Sequence, residues 1–150
     1  MKIVLQRVKQ ASVRVDNKTV GEISRGFLLF VAVGGSDENK DADWLVDKIL
    51  KLRLFPDTKK SDSFLERNIK DIRGSVLVVS QFTLFGNCHK GTRPSFSEAA
   101  GPKQAEKLYN YFVEKLREKN VQAETGIFGA EMEVGLINDG PVTLIIDSKE

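Results

Sequence analysis

Apolar and polar residues alternate along the first part of the chain in the way that half-buried β-strands do. Residues 2–8 and 12–15 show this alternation, and residues 19–24 form a further strand after a turn at residues 16–18. Residues 27–33 are apolar on both faces, which is typical of a strand in the middle of a sheet. The pattern therefore predicts four strands before the first helix, the fourth of them central.

Two later segments carry apolar residues at helical spacing. The first follows a double glycine at residues 34–35, with Ser36 or Asp37 as the predicted N-cap. The second begins at residues 101–102, where the proline is tolerated in the first turn, and stops at Asn120. The core-facing stripes are predicted at Ala42, Leu45, Val46, Ile49 and Leu52 of the first helix and at Ala105, Leu108, Tyr109, Phe112, Val113 and Leu116 of the second.

The rest of the chain predicts more strands and one irregular segment. Two helices beside many strands, several of them joined by hairpins, indicate an α/β protein with a mixed sheet packed in layers. A length of 150 residues predicts one domain, residues 1–150. Strands are predicted at residues 75–84, 121–124, 132–136 and 142–146, with turns at residues 56–57, 61–63 and 138–141.

The strand at residues 75–84 turns polar where a core strand would stay apolar. Four apolar residues are followed by Ser80, Gln81, Phe82 and Thr83, and then by a loop rich in glycine and charge. Ligand sites of α/β folds are found at such carboxyl ends of strands. The alternative is a strand that simply leaves the core, with the Ser80 and Thr83 hydroxyls bonded to the local backbone. The residues alone leave both open.

Composition excludes several classes of protein. Twenty-three basic and twenty-one acidic residues do not give the strong positive charge of a protein that coats nucleic acid. Lys90 and Arg93 in the loop are candidates for a local contact with RNA phosphates, and a solvated surface is the alternative that charged runs of this kind favour. The lone Cys88 fits a reducing compartment. We find neither a membrane-spanning run nor a signal peptide, so the cytoplasm is the predicted location.

Familiar catalytic sets are incomplete in this sequence. One histidine, His89, and one cysteine, Cys88, provide neither a serine triad nor a zinc site, and no cofactor motif is present. We therefore predict no metal and no cofactor. Thr83 is a candidate nucleophile without a neighbouring base. Gly140-Pro141 lies between two predicted strands, where either an ordinary hairpin turn or outward-facing carbonyl groups would fit.

Several motifs together resemble the D-aminoacyl-tRNA deacylases of bacteria and eukaryotes, over essentially the whole chain. The most specific are Ser-Gln-Phe-Thr at residues 80–83 and Asn-Asp-Gly-Pro-Val-Thr at residues 138–143. Residues 59–72 and Cys88-His89 fit less well. Further matching stretches are residues 6–8 with 11–13, 20–23, 74–79, 90–91 with 93–96, and 125–130.

The resemblance implies a partly barrel-like fold with two main helices on one side, and a homodimer with its active site at the interface. Ser80, Gln81, Phe82 and Thr83 would line the pocket for the 3′-terminal adenosine and the aminoacyl ester. Gly140 and Pro141 of the partner, joined by a cis bond, would hold the substrate's ammonium group and exclude an L side chain. Arg7 would support that loop, and Met132 would lie near the pocket.

The implied activity is hydrolysis of the ester bond of D-aminoacyl-tRNA, as a proofreading step that rejects L-aminoacyl-tRNA. Glycyl-tRNA would also be cleaved, because glycine has no side chain to exclude. The 2′-OH of the tRNA would assist in place of a protein base, while main-chain N–H groups near Phe82 and Thr83 stabilise the oxyanion. The alternatives are an editing domain for a mischarged L-amino acid and a nucleic-acid-binding module without turnover.

Overall fold

The computed structural model describes residues 1–60 and 63–150 as one six-stranded sheet with two α-helices. The turn predicted at Ser61 and Asp62 lies outside the described residues. In chain order the elements are β1 (Lys2–Val15), β2 (Lys18–Ile23), β3 (Gly26–Ala32), α1 (Asn39–Lys51), β4 (Ser75–Ser80), a 3₁₀ turn (Phe82–Phe85), α2 (Pro102–Glu118), β5 (Ala123–Thr125) and β6 (Glu133–Asp147).

The sheet is mixed and almost closes on itself. Its strand order is β2-β1-β3-β4-β5, with β6 paired to β1; β3–β4 and β4–β5 are parallel, and the pairs made by β1 are antiparallel. The outer strands β2 and β5 come together: a Cβ atom on Gly21 would lie 2.3 Å from the Thr125 carbonyl oxygen. The predicted partly barrel-like α/β fold is therefore confirmed.

Strand β3 is central, as its apolar sequence predicted. Six of its seven residues are buried, because β1 and β4 flank it and the sheet is covered on the helical side. The Phe27 ring stacks on the Phe55 ring with centroids 5.0 Å apart. A strand buried on both faces needs apolar side chains in both directions, which explains the unbroken apolar run.

Both helices pack against the same face of the sheet, where their predicted stripes join the main core. The N-cap predicted at Ser36 or Asp37 is wrong, because α1 is capped at Glu38. The Asp37 carboxylate is engaged elsewhere: it accepts a hydrogen bond of 2.6 Å from the Gly34 N–H and pairs with the Met1 ammonium at 2.7 Å. The predicted stop of α2 at Asn120 is confirmed by its left-handed backbone, with φ of 60°.

Four of the strand predictions differ from the structure. Residues 2–15 form one continuous strand instead of two, since β6 pairs with β1 along nearly its whole length. The strand predicted over residues 75–84 ends at Ser80 and is followed by the 3₁₀ turn, and β5 begins at Ala123, not at residue 121. The turn predicted at residues 138–141 lies within strand β6, which continues in the same direction on both sides of it.

The opposite face of the sheet is only partly covered. A second apolar cluster there is formed by buried residues of β1, β2, β3 and β4, including Leu28 and Val79. Its outer layer consists of side chains that are only half-buried: Phe30, Met132, Val134 and Leu136. No helix within the described part of the chain is long and apolar enough to cross a membrane.

Candidate active site

The polar end of β4 leads directly into a tight turn. Ser80 is the last residue of the strand, and the Gln81 N–H donates to the Val31 carbonyl at 2.8 Å, which keeps the chain beside β3 for one more residue. The first hydrogen bond of the 3₁₀ turn runs from the Leu84 N–H to the Gln81 carbonyl at 3.2 Å. The N–H groups of Phe82 and Thr83 precede that bond and belong to the exposed start of the turn.

A cavity of about 590 Å³ opens beside this turn. The ends of β3 and β4 form its floor, the start of α2 forms one wall, and the segment before β6 forms the other. Its lining is mostly apolar, consisting of Val31, Ala32, Val33, Val79, Ser80, Gln81, Phe82, Phe96, Ala99, Ala100, Pro102, Ala105, Tyr109, Phe128, Gly129, Ala130, Met132 and Val134.

Two aromatic pairs border the cavity. Phe82, which is 56% exposed, meets Phe96 edge-to-face with ring centroids 5.1 Å apart. Tyr109 and Phe128 lie 5.8 Å apart, and the Tyr109 hydroxyl donates to the Val78 carbonyl at 2.8 Å. Burial raises the pKa of Tyr109 well above its usual value, so this phenol is a neutral donor and not a base.

Within residues 1–60 and 63–150, the Thr83 side chain forms no hydrogen bond with a carboxylate or a histidine. The Gln81 side-chain amide donates to the Thr83 hydroxyl oxygen, and no carboxylate or histidine is among the described residues that line the cavity. His89 and Cys88 lie in a separate surface depression. Within residues 1–60 and 63–150, no three His, Cys, Asp or Glu side chains are grouped as metal ligands. The chemistry available at the cavity is hydrogen bonding, from backbone, amide and hydroxyl groups.

The Gly140-Pro141 segment projects from strand β6. Gln6 of β1 pairs with Thr143 of β6, and Val8 pairs with Asn138. Between these pairs, the four residues 139–142 of β6 lie opposite the single residue Arg7 of β1. The peptide bond between Gly140 and Pro141 is cis, as the resemblance implied, and both residues are exposed. A hairpin turn at this position is ruled out, because the strand does not reverse.

Arg7 binds the start of this loop through a hydrogen bond and an ion pair with Asp139. Its side chain is buried, with 3% of the residue exposed, and its Nε donates to the Asp139 carbonyl at 3.0 Å and lies 3.2 Å from Asp139 Oδ2. Its Nη1 donates to the Leu54 carbonyl. The Asn138 amide donates to the carbonyls of Arg7 at 3.1 Å and Val142 at 3.2 Å. A buried guanidinium needs these acceptors, so the loop and Arg7 stabilise each other.

Comparison with known proteins decides the family. A model described as D-Tyr-tRNA(Tyr) deacylase matches residues 4–147. The chain belongs to this deacylase family. Proteins named D-aminoacyl-tRNA deacylase from Thermotoga petrophila and Thermosipho melanesiensis are 53% identical over 150 residues and 52% identical over 151 residues, respectively; each match covers 100% of this chain and 99% of the relative.

Two solved structures resemble this deacylase-family chain. A protein titled c-Myc DNA Unwinding Element Binding Protein is 39% identical with a TM-score of 0.90, and 98% of each chain is covered. A probable eukaryotic D-amino acid tRNA deacylase, 19% identical with a TM-score of 0.83 over 97% of this chain and 98% of its own, shares the fold. The predicted family is confirmed, and so is the prediction of an enzyme, because deacylases are hydrolases.

The structure brings some of the predicted site residues of this family member together and keeps others apart. Ser80, Gln81, Phe82 and Met132 line one cavity. Thr83 is next to that cavity without lining it, and the Gly140-Pro141 loop is not part of its wall among the described residues. Lys90 and Arg93 are exposed in a loop closed by backbone hydrogen bonds of 2.8 and 2.9 Å between Asn87 and Ser95, and they lie outside the cavity.

Three of the four rings that border the cavity, those of Phe96, Tyr109 and Phe128, are not among the site residues predicted from the sequence. Tyr109 lies in the core stripe of α2, as predicted, but the same ring also borders the cavity. Phe96 and Phe128 belong to motifs that match the family, yet no periodicity distinguishes a cavity aromatic from a core aromatic. The signal that was available is their position in loops between regular elements, where ligand contacts concentrate.

Proposed function

We propose that this chain hydrolyses the ester bond of D-aminoacyl-tRNA, releasing a free D-amino acid and tRNA, and that it leaves L-aminoacyl-tRNA intact. The observation that carries the proposal is the cavity at Ser80, Gln81 and Phe82, in a chain of the deacylase family. Relatives that are about half identical over the full length carry the name D-aminoacyl-tRNA deacylase. Aminoacyl-tRNA is made and used in the cytoplasm, which is the compartment we propose.

The cavity provides suitable contacts for the end of a tRNA. The exposed Phe82 ring, braced by Phe96, offers an aromatic surface on which the terminal adenine can stack. Single-stranded RNA is bound in this way because every base has an aromatic face. Lys90 and Arg93 are close in sequence to Phe96, and we propose that they contact phosphates of the acceptor strand.

We propose a homodimer in which each subunit inserts its Gly140-Pro141 loop into the cavity of the other. The loop is exposed and does not line its own cavity. A Cβ atom built on Gly140 would meet only the Asn138 side chain, at 3.1 Å, within its own chain. The partly covered apolar cluster with Phe30, Val134 and Leu136 offers a surface that a second copy would bury.

Selection in this arrangement works by exclusion. Carbonyl groups of the partner's loop accept hydrogen bonds from the ammonium group of the substrate, which fixes the position of the α-carbon. The side chain of a D-residue then points away from the loop, whereas an L side chain would collide with it. Glycine has no side chain to collide, so we propose that glycyl-tRNA is a substrate as well.

We propose that backbone groups and the RNA perform the chemistry. Water adds to the ester carbonyl carbon, and the N–H groups of Phe82 and Thr83 donate to the oxygen that becomes negatively charged. The bond to the ribose 3′-oxygen then breaks, and that oxygen leaves with a proton. The neighbouring ribose 2′-OH is the group placed to assist this transfer, and the lack of a carboxylate or histidine in the described cavity lining supports that assignment.

The test is the release of tyrosine from D-tyrosyl-tRNA and L-tyrosyl-tRNA under identical conditions. We expect rapid release of D-tyrosine and none of L-tyrosine above the rate without enzyme. Ala130→Trp, which adds an indole ring to the cavity lining, should abolish the reaction, whereas Ile127→Trp in the same segment but outside the cavity should not. No release of D-tyrosine at micromolar enzyme would refute the proposal, and equal loss in both variants would refute the assignment of the cavity.

A further inference from the structure

The buried Arg7 guanidinium is covered by aromatic rings. The Phe64 ring centroid lies 5.1 Å from its central carbon, and the Phe55 centroid lies 6.0 Å away. The two rings differ in their surroundings. Phe55 is fully buried and stacked on Phe27, so it belongs to the core, whereas Phe64 is 46% exposed. Phe64 therefore protects Arg7 without being required for the main core.

Phe64 is held in place by its neighbours. The N–H groups of Glu66 and Arg67 donate to the Phe55 carbonyl at 2.9 Å, and the Phe55 N–H donates back to the Arg67 carbonyl at 3.0 Å. The Asp57 N–H donates to the Ser63 hydroxyl. These bonds hold the backbone on both sides of Phe64 close to Phe55, and from that backbone the Phe64 ring reaches over Arg7.

A ring in this position leaves the donors of Arg7 available. Guanidinium N–H groups lie in the plane of the group, while an aromatic ring is attracted to its flat face. The Phe64 ring lies 5.1 Å from the guanidinium carbon and so keeps water from that side of the group, while the Nε and Nη1 atoms donate to the carbonyls of Asp139 and Leu54. Without this cover, water would compete for the Arg7 donors, and the Asp139 contact that fixes the loop would weaken.

We propose that Phe64 is a positioning residue for the Gly140-Pro141 loop, acting through Arg7, and that it sharpens discrimination against L-aminoacyl esters. The inference rests on the proposed function for its effect on selectivity, but its effect on the loop does not depend on activity. Loss of a partly exposed contact of this kind is worth ~0.5–1 kcal/mol, which is about a two- to fivefold change at 1.4 kcal/mol per factor of ten.

The test compares Phe64→Ser with Phe64→Trp, which keeps an aromatic face, and with Leu65→Ser, which removes the exposed neighbouring side chain. Hydrogen exchange of the Asp139, Gly140 and Val142 amides is measured in the protein without substrate. We expect Phe64→Ser to speed this exchange and to lower the ratio of D-tyrosyl-tRNA to L-tyrosyl-tRNA cleavage, each by about two- to fivefold. Phe64→Trp should restore both values, and Leu65→Ser should change neither.

The two measurements separate the possible failures. Unchanged exchange of the loop amides in Phe64→Ser would overturn the inference, whatever the activity. Faster exchange with an unchanged cleavage ratio would overturn the link to selectivity. If the unaltered protein cleaves no D-tyrosyl-tRNA, the proposed function fails, and the exchange data alone then decide whether Phe64 positions the loop.

Discussion

The proposed exchange of loops between subunits predicts a specific pattern of complementation. Ala130→Trp blocks the cavity, and Gly140→Trp places a large side chain on the loop, whose glycine is exposed in its own subunit. Each variant alone should be inactive, because both sites of a symmetric dimer then carry the defect. In a mixed dimer, one site combines both defects while the other combines the intact cavity of one subunit with the intact loop of its partner.

The magnitude follows from counting sites. Random pairing of equal amounts makes about half of the dimers mixed, and each has one working site of two, so activity should recover to about a quarter of the unaltered value. The assay is D-tyrosine release after the two variants are refolded together, compared with each refolded alone. Size-exclusion chromatography checks that every sample is dimeric. No recovery in a mixture that contains mixed dimers would refute the reasoning, since it would place cavity and loop of one site in the same subunit.

Three further predictions concern chemistry, RNA contacts and acid stability. Thr83→Ala should keep most of the D-tyrosyl-tRNA turnover, whereas a tRNA ending in 2′-deoxyadenosine should be cleaved far more slowly, as measured under single-turnover conditions. Lys90→Ala and Arg93→Ala should each reduce the slope of log affinity against log salt by about 0.7–0.9, in filter-binding titrations of tRNA. The free energy of unfolding, measured in urea titrations, should fall between about pH 5 and about pH 2 in both proteins. The fall should be smaller in Asp41→Asn than in the unaltered protein, by roughly 2 kcal/mol.

The acid prediction has a defined sign. Burial alone would raise the pKa of Asp41, but hydrogen bonds from the Glu38 N–H, Lys149 and Ser148 outweigh it and bring the pKa from 3.8 to about 2. A carboxyl with a lowered folded-state pKa stabilises the protein above its unfolded-state pKa, and this contribution is lost as the pH falls from 3.8 towards 2. Identical acid sensitivity in Asp41→Asn would contradict this account.

The predictions on chemistry and on RNA contacts can also each be refuted by a single result. Complete loss of turnover in Thr83→Ala with unchanged tRNA affinity would make Thr83 the nucleophile. Full activity on the 2′-deoxy substrate would remove the ribose hydroxyl from the mechanism. Unchanged salt slopes in both basic variants would show that Lys90 and Arg93 contact no phosphate, and their exposed position would then reflect solvation alone.

Periodicity predicted those parts of the fold that local burial determines. The run from Phe27 to Val33 and the stripes of both helices were recognisable because the burial of a side chain there depends on its position in its own strand or helix. The same logic drew attention to Ser80, where the apolar residues of β4 stop and the candidate cavity opens. The end of β4 was predicted too late, because polar and apolar residues still alternate from Gln81 to Thr83, as in a strand, although the backbone already turns there.

Long-range contacts explain what the sequence concealed. Asn138 to Pro141 has the composition of a turn, but pairing with β1 on both sides keeps the chain moving in one direction. The contact between Arg7 and Asp139 joins residues 132 positions apart, which no local pattern reveals. The N-cap of α1 shifted to Glu38 because the Asp37 carboxylate binds the Met1 ammonium instead.

The central claim is that the enzyme selects by excluding an L side chain, and the smallest chiral pair tests it most directly. Single-turnover cleavage should be measured for glycyl-tRNA, D-alanyl-tRNA and L-alanyl-tRNA, which differ only by the presence and direction of one methyl group. The account predicts cleavage of the glycyl and D-alanyl esters and none of the L-alanyl ester above its spontaneous rate. Cleavage of L-alanyl-tRNA at the rate of D-alanyl-tRNA would contradict it.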